Sequence, residues 1–306
     1  MGDKTKYSLI NFKAHDSKID DYSLYLQHVR KQREDMLQNL FDISSRVIVI
    51  TGGCGVLGSE MALYLAGQGA TVVVLDRDAV KGAELRNRIK KMGGKSLFLE
   101  SDVLDKSILE QNRQDILKSY GKIDVLVNAA GGNMPGATIA TDQSIFDLDM
   151  EAFKKVVDLN LFGSVLPTMV FARAMVDAGT GNIINIASES ALRPLTRVAG
   201  YGAAKAAVAN FTKYMAGELA LKFGSEFRVN ALAPGFFITD QNRNLLTHPD
   251  GSYTDRARSI LTHTPFGRFG EAHELLGSLH YLVSDASRFV TGSILVVDGG
   301  FDAFSI

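Results

Sequence analysis

The chain has 306 residues, 46% of them hydrophobic, and a formal net charge of −1 at pH 7. That length holds one large domain or two small ones with an easily buried core, and the near-neutral charge gives no electrostatic reason to expect nucleic acid or an acidic membrane surface as a partner. The single cysteine, Cys54, excludes an intramolecular disulfide and fits a reducing, cytoplasmic compartment.

Residues 1–42 read as an extension, charged and rich in tyrosine. They start polar and lack the apolar core of a signal peptide. A helix is predicted near Asp20–Leu40, where Leu24, Val29, Met36, Leu37 and Leu40 form a weak apolar stripe. No apolar run in the chain approaches the ~20 residues that span a bilayer, so no membrane partner is expected. Residues 43–306 read as one domain without a low-complexity linker or a solenoid repeat.

From Arg46 onward, short apolar runs alternate with helical segments. The predicted strands are RVIVIT, TVVVLD, SLFLESD, DVLVNAA, NIINIAS, FRVNALA and SILVVD. The first two are continuously apolar, as in strands buried on both faces. Helical periods fill Gly58–Gly67 and Tyr201–Lys222. Alternating β and α units predict an α/β fold: a doubly wound, Rossmann-type parallel sheet of about seven strands with helices on both faces. The stretch from Thr239 to Gly270 is long, polar and arginine-rich with no strand signal, and reads as a functional loop or lid.

After the first strand comes TGGCGVLG, Thr51–Gly58. Gly53, Gly55 and Gly58 give G-x-G-x-x-G, with Gly52, Val56 and Leu57 completing the loop. Glycines there permit a tight turn and close backbone approach to a pyrophosphate, and the helix that follows offers free N–H groups to the anion. The second strand ends in Asp76, whose carboxylate can accept the ribose hydroxyls of NAD and repel the 2′-phosphate of NADP. Arg77 beside it can meet such a phosphate, so NAD is favoured and NADP stays open. Asp102 and Val103 in ESDV can reach an adenine edge. Asn128, Ala129, Ala130 and Gly131 end the fourth strand, where small residues let a cofactor pass. All lie at the carboxyl ends of strands, the ligand side of an open α/β sheet.

Tyr201 and Lys205 stand four apart in YGAAK, with Ser188 thirteen residues upstream. On a helix, i and i+4 share a face. A lysine beside a phenol favours the phenolate and lowers its pKa, and a serine hydroxyl can hold a carbonyl or alcohol oxygen against it. Those parts serve acid–base chemistry on a C–OH/C=O pair. No metal is expected, since His263 has no partner pattern for a metal site.

With these motifs in order, followed by PGFFIT and VTGSILVVDGG, the chain from about Ser44 resembles the short-chain dehydrogenase/reductase family. The resemblance implies that Tyr201 is the acid–base residue, that Lys205 activates it and binds ribose, and that Ser188 orients the substrate oxygen. It implies that Asn160 holds a water in a proton relay, and that the Pro234–Thr239 backbone, with Gly235 and Phe237, clamps the nicotinamide carboxamide. It also implies a homo-oligomer, a tetramer by family habit. One departure stands out: Val56 occupies a position that the family's common T-G-x-x-x-G-x-G loop fills with glycine. The spacing here looks like the branch holding sugar-nucleotide epimerases and dehydratases, whereas the C-terminal motifs look like the oxidoreductases. NAAGGN, LNLFGSVLPT, PLTRVAGYGAAKAA and APGFFITDQNRNLL are together similar to the D-mannonate oxidoreductase (fructuronate reductase) group.

A sugar acid needs a cation and several polar groups. Asn133, Arg193, Gln241 and Arg243 are the candidates for substrate contact, with Asn242, His263 and Arg268 behind them. Arg193 is favoured for the carboxylate because a guanidinium binds it bidentately. Another polyol or ketogluconate dehydrogenase, an NAD-dependent epimerase or dehydratase, and a dinucleotide-binding regulator remain alternatives, since fold does not fix function.

Overall fold

A computed structural model describes residues 25–31, 34, 39–134, 136–238 and 243–304. The chain divides into two compact units, Met1–Leu40 and Phe41–Ile306. In the first, residues 25–31 and 34 are helical, inside the span that the periodicity predicts. Leu24, Met36 and Leu37 of the expected stripe lie outside the described residues.

The second unit is built on seven parallel strands: β1 (Val47–Thr51), β2 (Thr71–Asp76), β3 (Lys95–Glu100), β4 (Val125–Asn128), β5 (Gly181–Ile186), β6 (Phe227–Pro234) and β7 (Ile294–Val297). Their order is β3-β2-β1-β4-β5-β6-β7. The order reverses between β1 and β4, which pair with Thr51 opposite Asn128. Two neighbouring strands whose connections leave in opposite directions open a crevice at their carboxyl ends.

Alternation along the buried strands feeds two cores. Ile48, Ile50, Val72, Val74 and Ile184 face one side, where they meet Met61 and Leu65 of α1 (Val56–Gly67), Leu85 and Ile89 of α2 (Ala79–Lys91) and Leu279 of the helix Leu276–Val283. Val47, Val49, Val73, Leu75 and Ile183 face the other, against Leu109 and Ile116 of α3 (Lys106–Tyr120), Phe171 and Met175 of α5 (Gly163–Ala178), and Met215 and Leu219 of α6 (Ala199–Phe223). Each fully buried Val, Leu or Ile contributes about 1.5–3 kcal/mol of transfer free energy, so these two layers dominate the favourable side of folding.

Helix ends follow local chemistry. The Asp78 carboxylate accepts from the Lys81 amide at the start of α2, and Asp105 accepts from Ser107 and Ile108 at the start of α3. Asp149 does the same for α4 (Met150–Val157). One turn of wider helix, Asp158–Phe162, joins α4 to α5. The combined stretch 150–178 is long and apolar enough to cross a membrane by composition, with a mean hydropathy of 1.4. Its apolar side chains Val170, Phe171 and Met175 are buried against the sheet, so that character serves the core.

The segment expected as a lid carries short helices rather than open loop. These are α7 (Arg243–Leu246) and α8 (Asp255–Thr262), followed after a turn by α9 (Leu276–Val283). Leu246, Ala257, Ile260 and Phe269 bury together there.

Candidate active site

The glycine loop between β1 and α1 is packed beyond what any side chain would allow. A Cβ at Gly58 would lie 2.4 Å from the Gly52 carbonyl oxygen, and one at Gly52 would lie 2.6 Å from Ala130 Cα. Gly52 has φ 62, a left-handed conformation that glycine adopts freely. Gly55 differs: its Cβ would meet only the Gly52 oxygen, at 3.4 Å. The Thr51 hydroxyl accepts from the Ala129 and Ala130 amides at 3.2 and 3.3 Å, tying the end of β1 to the end of β4. α1 begins with neither a side-chain cap nor an acidic residue in its first turn. Its first amides and positive dipole end are therefore suited to an anion.

A cleft of about 600 Å³ opens on this loop. Gly52, Gly55, Val56, Leu57, Gly58, Asp76, Arg77, Val103, Ala129, Ala130 and Gly131 line it, while Gly53 does not. The Asp76 carboxylate is fixed at its rim, accepting from the Cys54 amide at 2.9 Å and the Asp78 amide at 3.1 Å. Burial, with Asp76 and Asp78 nearby, pushes the Cys54 thiol up to about 12, which makes it a poor nucleophile. Ser101, absent from the sequence expectations, also lines the cleft, and its buried hydroxyl has no partner among the described residues. An orphaned hydroxyl, an uncapped helix start and a rim carboxylate together fit a dinucleotide.

A second cavity of about 600 Å³ shares Leu57 with the first. Ser188 and Tyr201 line it, with Pro234, Gly235 and Phe237. β5 delivers Ser188 just past its end, and α6 carries Tyr201 in its first turn. One turn on, Lys205 is 3% exposed. Its Nζ donates to the Ile186 carbonyl at 2.7 Å and stands 5.7 Å from the Tyr201 ring centroid.

The electrostatics correct one expectation. Burial raises the Tyr201 phenol, and the Ser188 hydroxyl beside it pulls the other way without prevailing. Lys205 does not bring the phenol down in the chain alone. Burial instead lowers the ammonium itself to about 8. Desolvation disfavours both charged forms, so near neutral pH the phenol keeps its proton.

Asn160 is fully buried in the wide turn before α5. Its amide donates to the Gly132 carbonyl at 2.7 Å and the Val156 carbonyl at 2.8 Å, and its Oδ1 accepts from the Gly132 amide at 3.0 Å. Both amide hydrogens thus hold backbone. The residue pins the strand exit at Gly131–Gly132, next to Lys205.

Several expected contacts are placed elsewhere. Asn128 Nδ2 donates to Thr168 Oγ1 at 2.9 Å and Asn185 Oδ1 at 2.8 Å, and Asn185 donates on to Thr212. Its side chain therefore braces β4 and β5 against α5 and α6, and does not face the cleft. Asp102 accepts from the Leu104 amide and closes its own turn. Arg193, favoured for the substrate carboxylate, pairs with Asp302 at 3.0 Å and donates to the Phe304 carbonyl, because the C-terminal segment supplies acceptors that the sequence does not reveal. Arg268 is held by both oxygens of Glu274, and His263 bonds the Ser259 carbonyl. Arg243 is exposed on α7 and does not line the cavity. Asn133 does line it, with its amide donating to Thr138 at 2.8 Å. Thr239, Gln241 and Asn242 lie outside the described residues.

Three charged residues missed in the sequence line the second cavity: Glu189, Arg197 and Arg256. Glu189 follows Ser188 and is 1% exposed, and neither carboxylate oxygen has a partner among the described residues. Burial, with Asp302 and Asp298 nearby, pushes it up to about 7. Its only sequence signal is adjacency to Ser188. Arg197 stands four residues before Tyr201, the spacing that linked Tyr201 to Lys205, and Arg256 belongs to the arginine-rich stretch.

The family model described as short chain dehydrogenase matches residues 46–250. The uncharacterized oxidoreductase UxuB of Bacillus subtilis is 42% identical over 86% of this chain and 97% of its own. A solved structure of a Haemophilus influenzae protein, provisionally described as a D-mannonate oxidoreductase with bound NAD, matches with a TM-score of 0.81 at 42% identity, over 86% of this chain and 97% of that one. A gluconate 5-dehydrogenase of Burkholderia cenocepacia in complex with NADP and tartrate matches with a TM-score of 0.77 at 32% identity, over 87% and 99%. With this fold, this cleft and these matches, the chain belongs to the short-chain dehydrogenase/reductase family of NAD(P)-dependent oxidoreductases.

Proposed function

We propose that the chain transfers a hydride between a nicotinamide dinucleotide, NAD ahead of NADP, and a hydroxyl/ketone pair of a sugar acid of the D-mannonate/D-fructuronate type. The observation that carries the reading is the meeting of Ser188 and Tyr201 on one cavity, beside the cleft suited to a pyrophosphate, with Lys205 buried behind them. The 42% identity to the provisionally described D-mannonate oxidoreductase supports the substrate class. Asp76 at the rim supports NAD, since a fixed carboxylate disfavours a 2′-phosphate.

Bound nicotinamide supplies the hydride chemistry at its C4. This chain's residues supply position and the proton. Ser188 holds the substrate oxygen by its hydroxyl. Tyr201, kept neutral by burial, gives that oxygen its proton in reduction and takes it back in oxidation. Lys205 places an ammonium below the ring, anchored on Ile186. Asn160 fixes the loop through which Gly131 approaches Lys205. Gly52 and Gly58 give the dinucleotide backbone close access, Gly53 packs against Val74 of β2 instead of the cleft, and Pro234, Gly235 and Phe237 form the far wall. We further propose a cytoplasmic homotetramer, which light scattering of the intact chain tests.

Tyr201→Phe removes the transferable proton and keeps the ring. Turnover should fall at least about a hundredfold, the low end of what a positioned acid–base group contributes, with NADH affinity unchanged in a fluorescence titration. Near-native turnover in that variant would sink the assignment.

A further inference from the structure

Arg197 and Arg256 face one cavity from two chain segments. Arg197 lies just before α6, and Arg256 lies in the first turn of α8. Thr196 joins them: its hydroxyl and carbonyl accept from Arg256 Nη1 and Nη2 at 3.3 and 3.4 Å. Burial, and then the charge of Arg197, lower the Arg256 guanidinium. Neither arginine has a carboxylate partner among the described residues: Arg197 donates from Nε to the Ile139 carbonyl at 2.5 Å, and Arg256 only to Thr196. Each guanidinium has five donors, so several remain unclaimed.

The arrangement is unfavourable in the chain alone. Two like charges face one cavity, which Met134, Leu195, Leu246 and Ile260 also line, and partial burial of a charge without a counter-ion costs stability. The backbone adds to the cost: Arg197 has φ 73 and is the one non-glycine residue with positive φ among those described. A reciprocal hydrogen bond, from the Ile139 amide to the Arg197 carbonyl at 3.0 Å, holds that geometry. Strain and unpaired charge kept together at a cavity wall mark a site shaped for a ligand. Two guanidinium forks match an anion with planar acceptors.

We propose that Arg197 and Arg256 form the carboxylate subsite of this cavity, gripping the acid end of the substrate while its reacting carbon lies at Ser188 and Tyr201. This rests on the sugar-acid reading above and adds which residues select for the acid. Arg256 belongs to the segment carrying α7 and α8, so the bound carboxylate bridges that segment to the start of α6. Neutral polyols of the same length lack the group that links the two.

Calorimetry on the NADH complex tests this without turnover, using D-gluconate as the carboxylate probe and D-sorbitol as its neutral counterpart. NADH leaves no acceptor for the probe's hydride. Gluconate should bind at least about tenfold tighter than sorbitol, a difference of about 1.4 kcal/mol. Arg256→Gln and Arg197→Asn should each weaken gluconate about tenfold or more, as expected for loss of a charged hydrogen bond, with sorbitol and NADH affinities unchanged and a thermal midpoint no lower than the native chain's. Asparagine tolerates the positive φ at 197, and Arg256→Lys should retain part of the affinity. Equal affinity for the two probes in the native chain, or full gluconate affinity in both variants, would overturn the proposal. Failure of the sugar-acid reading itself would look different: intact gluconate binding with no turnover of any keto sugar acid.

Discussion

Glu189 and Asp76 are both carboxylates at the ends of strands, and their surroundings separate them. Asp76 accepts two backbone amides at the cleft rim. Glu189 is buried without a donor among the described residues, beside Asp298 and Asp302. Its folded pKa, about 7, stands above the ordinary 4.5. Between those values the folded chain holds a proton that the unfolded chain has lost. Its contribution to stability is therefore complete below pH 4.5 and disappears as pH rises through about 7. Glu189→Gln should flatten the fall in thermal midpoint from pH 5 to 8 and raise the midpoint at pH 8; an unchanged slope would remove Glu189 as its source. For Asp76→Asn, the ratio of kcat/KM with NADH to that with NADPH should drop at least about tenfold, or about 1.4 kcal/mol. A preserved ratio would mean that selectivity rests on Arg77 or Lys81, which share the rim. Residue type and spacing made Ser188, Tyr201 and Lys205 legible, because their chemistry is local to one helix and the strand before it. Arg193 misled for the opposite reason: its partner Asp302 lies at the far end of the chain, and no local pattern announces it.

At the scale of elements, the glycine loop resolves the departure at Val56. Gly58 is fixed by backbone, with the Gly52 oxygen 2.4 Å from where its Cβ would stand, whereas Gly55 has room for a methyl at 3.4 Å. Gly58→Ala should force the loop to move, lowering stability by about 1–3 kcal/mol, the usual range for overpacking, and abolishing NADH binding. Gly55→Ala should keep stability within about 0.5 kcal/mol, as substitutions away from packed features do. Chemical denaturation and an NADH titration of both variants check the pair, and equal losses would contradict the reading. The strands were readable because continuous apolar runs seldom mean anything but a sheet buried on both faces. Asn128 was harder. Side chains alternate across a sheet, so a polar residue at a strand end can face the ligand or the underside, and only its partners Thr168 and Asn185 decide. The segment 239–270 read as open loop since its helices are only 4 and 8 residues long where described, too short to establish a period.

Over the whole molecule, the parallel sheet brings two chemistries to one edge. The reversal between β1 and β4 opens the dinucleotide cleft, and β5, α6 and the helices of the 243–262 segment build the cavity beside it. In the chain alone, burial keeps Tyr201 protonated and leaves Lys205 at about 8. In the proposed reaction, reduction needs the protonated phenol and oxidation the phenolate, so reduction should be favoured at neutral pH and oxidation should climb as the pH becomes alkaline. The most direct measurement is steady-state reduction of D-fructuronate, D-tagaturonate and ketogluconates by NADH and NADPH at pH 7. The account predicts turnover of a hexuronate with NADH, at a kcat/KM well above that of any neutral ketose of equal length. Turnover of neutral ketoses alone, or none of these substrates accepted with either cofactor, would contradict it.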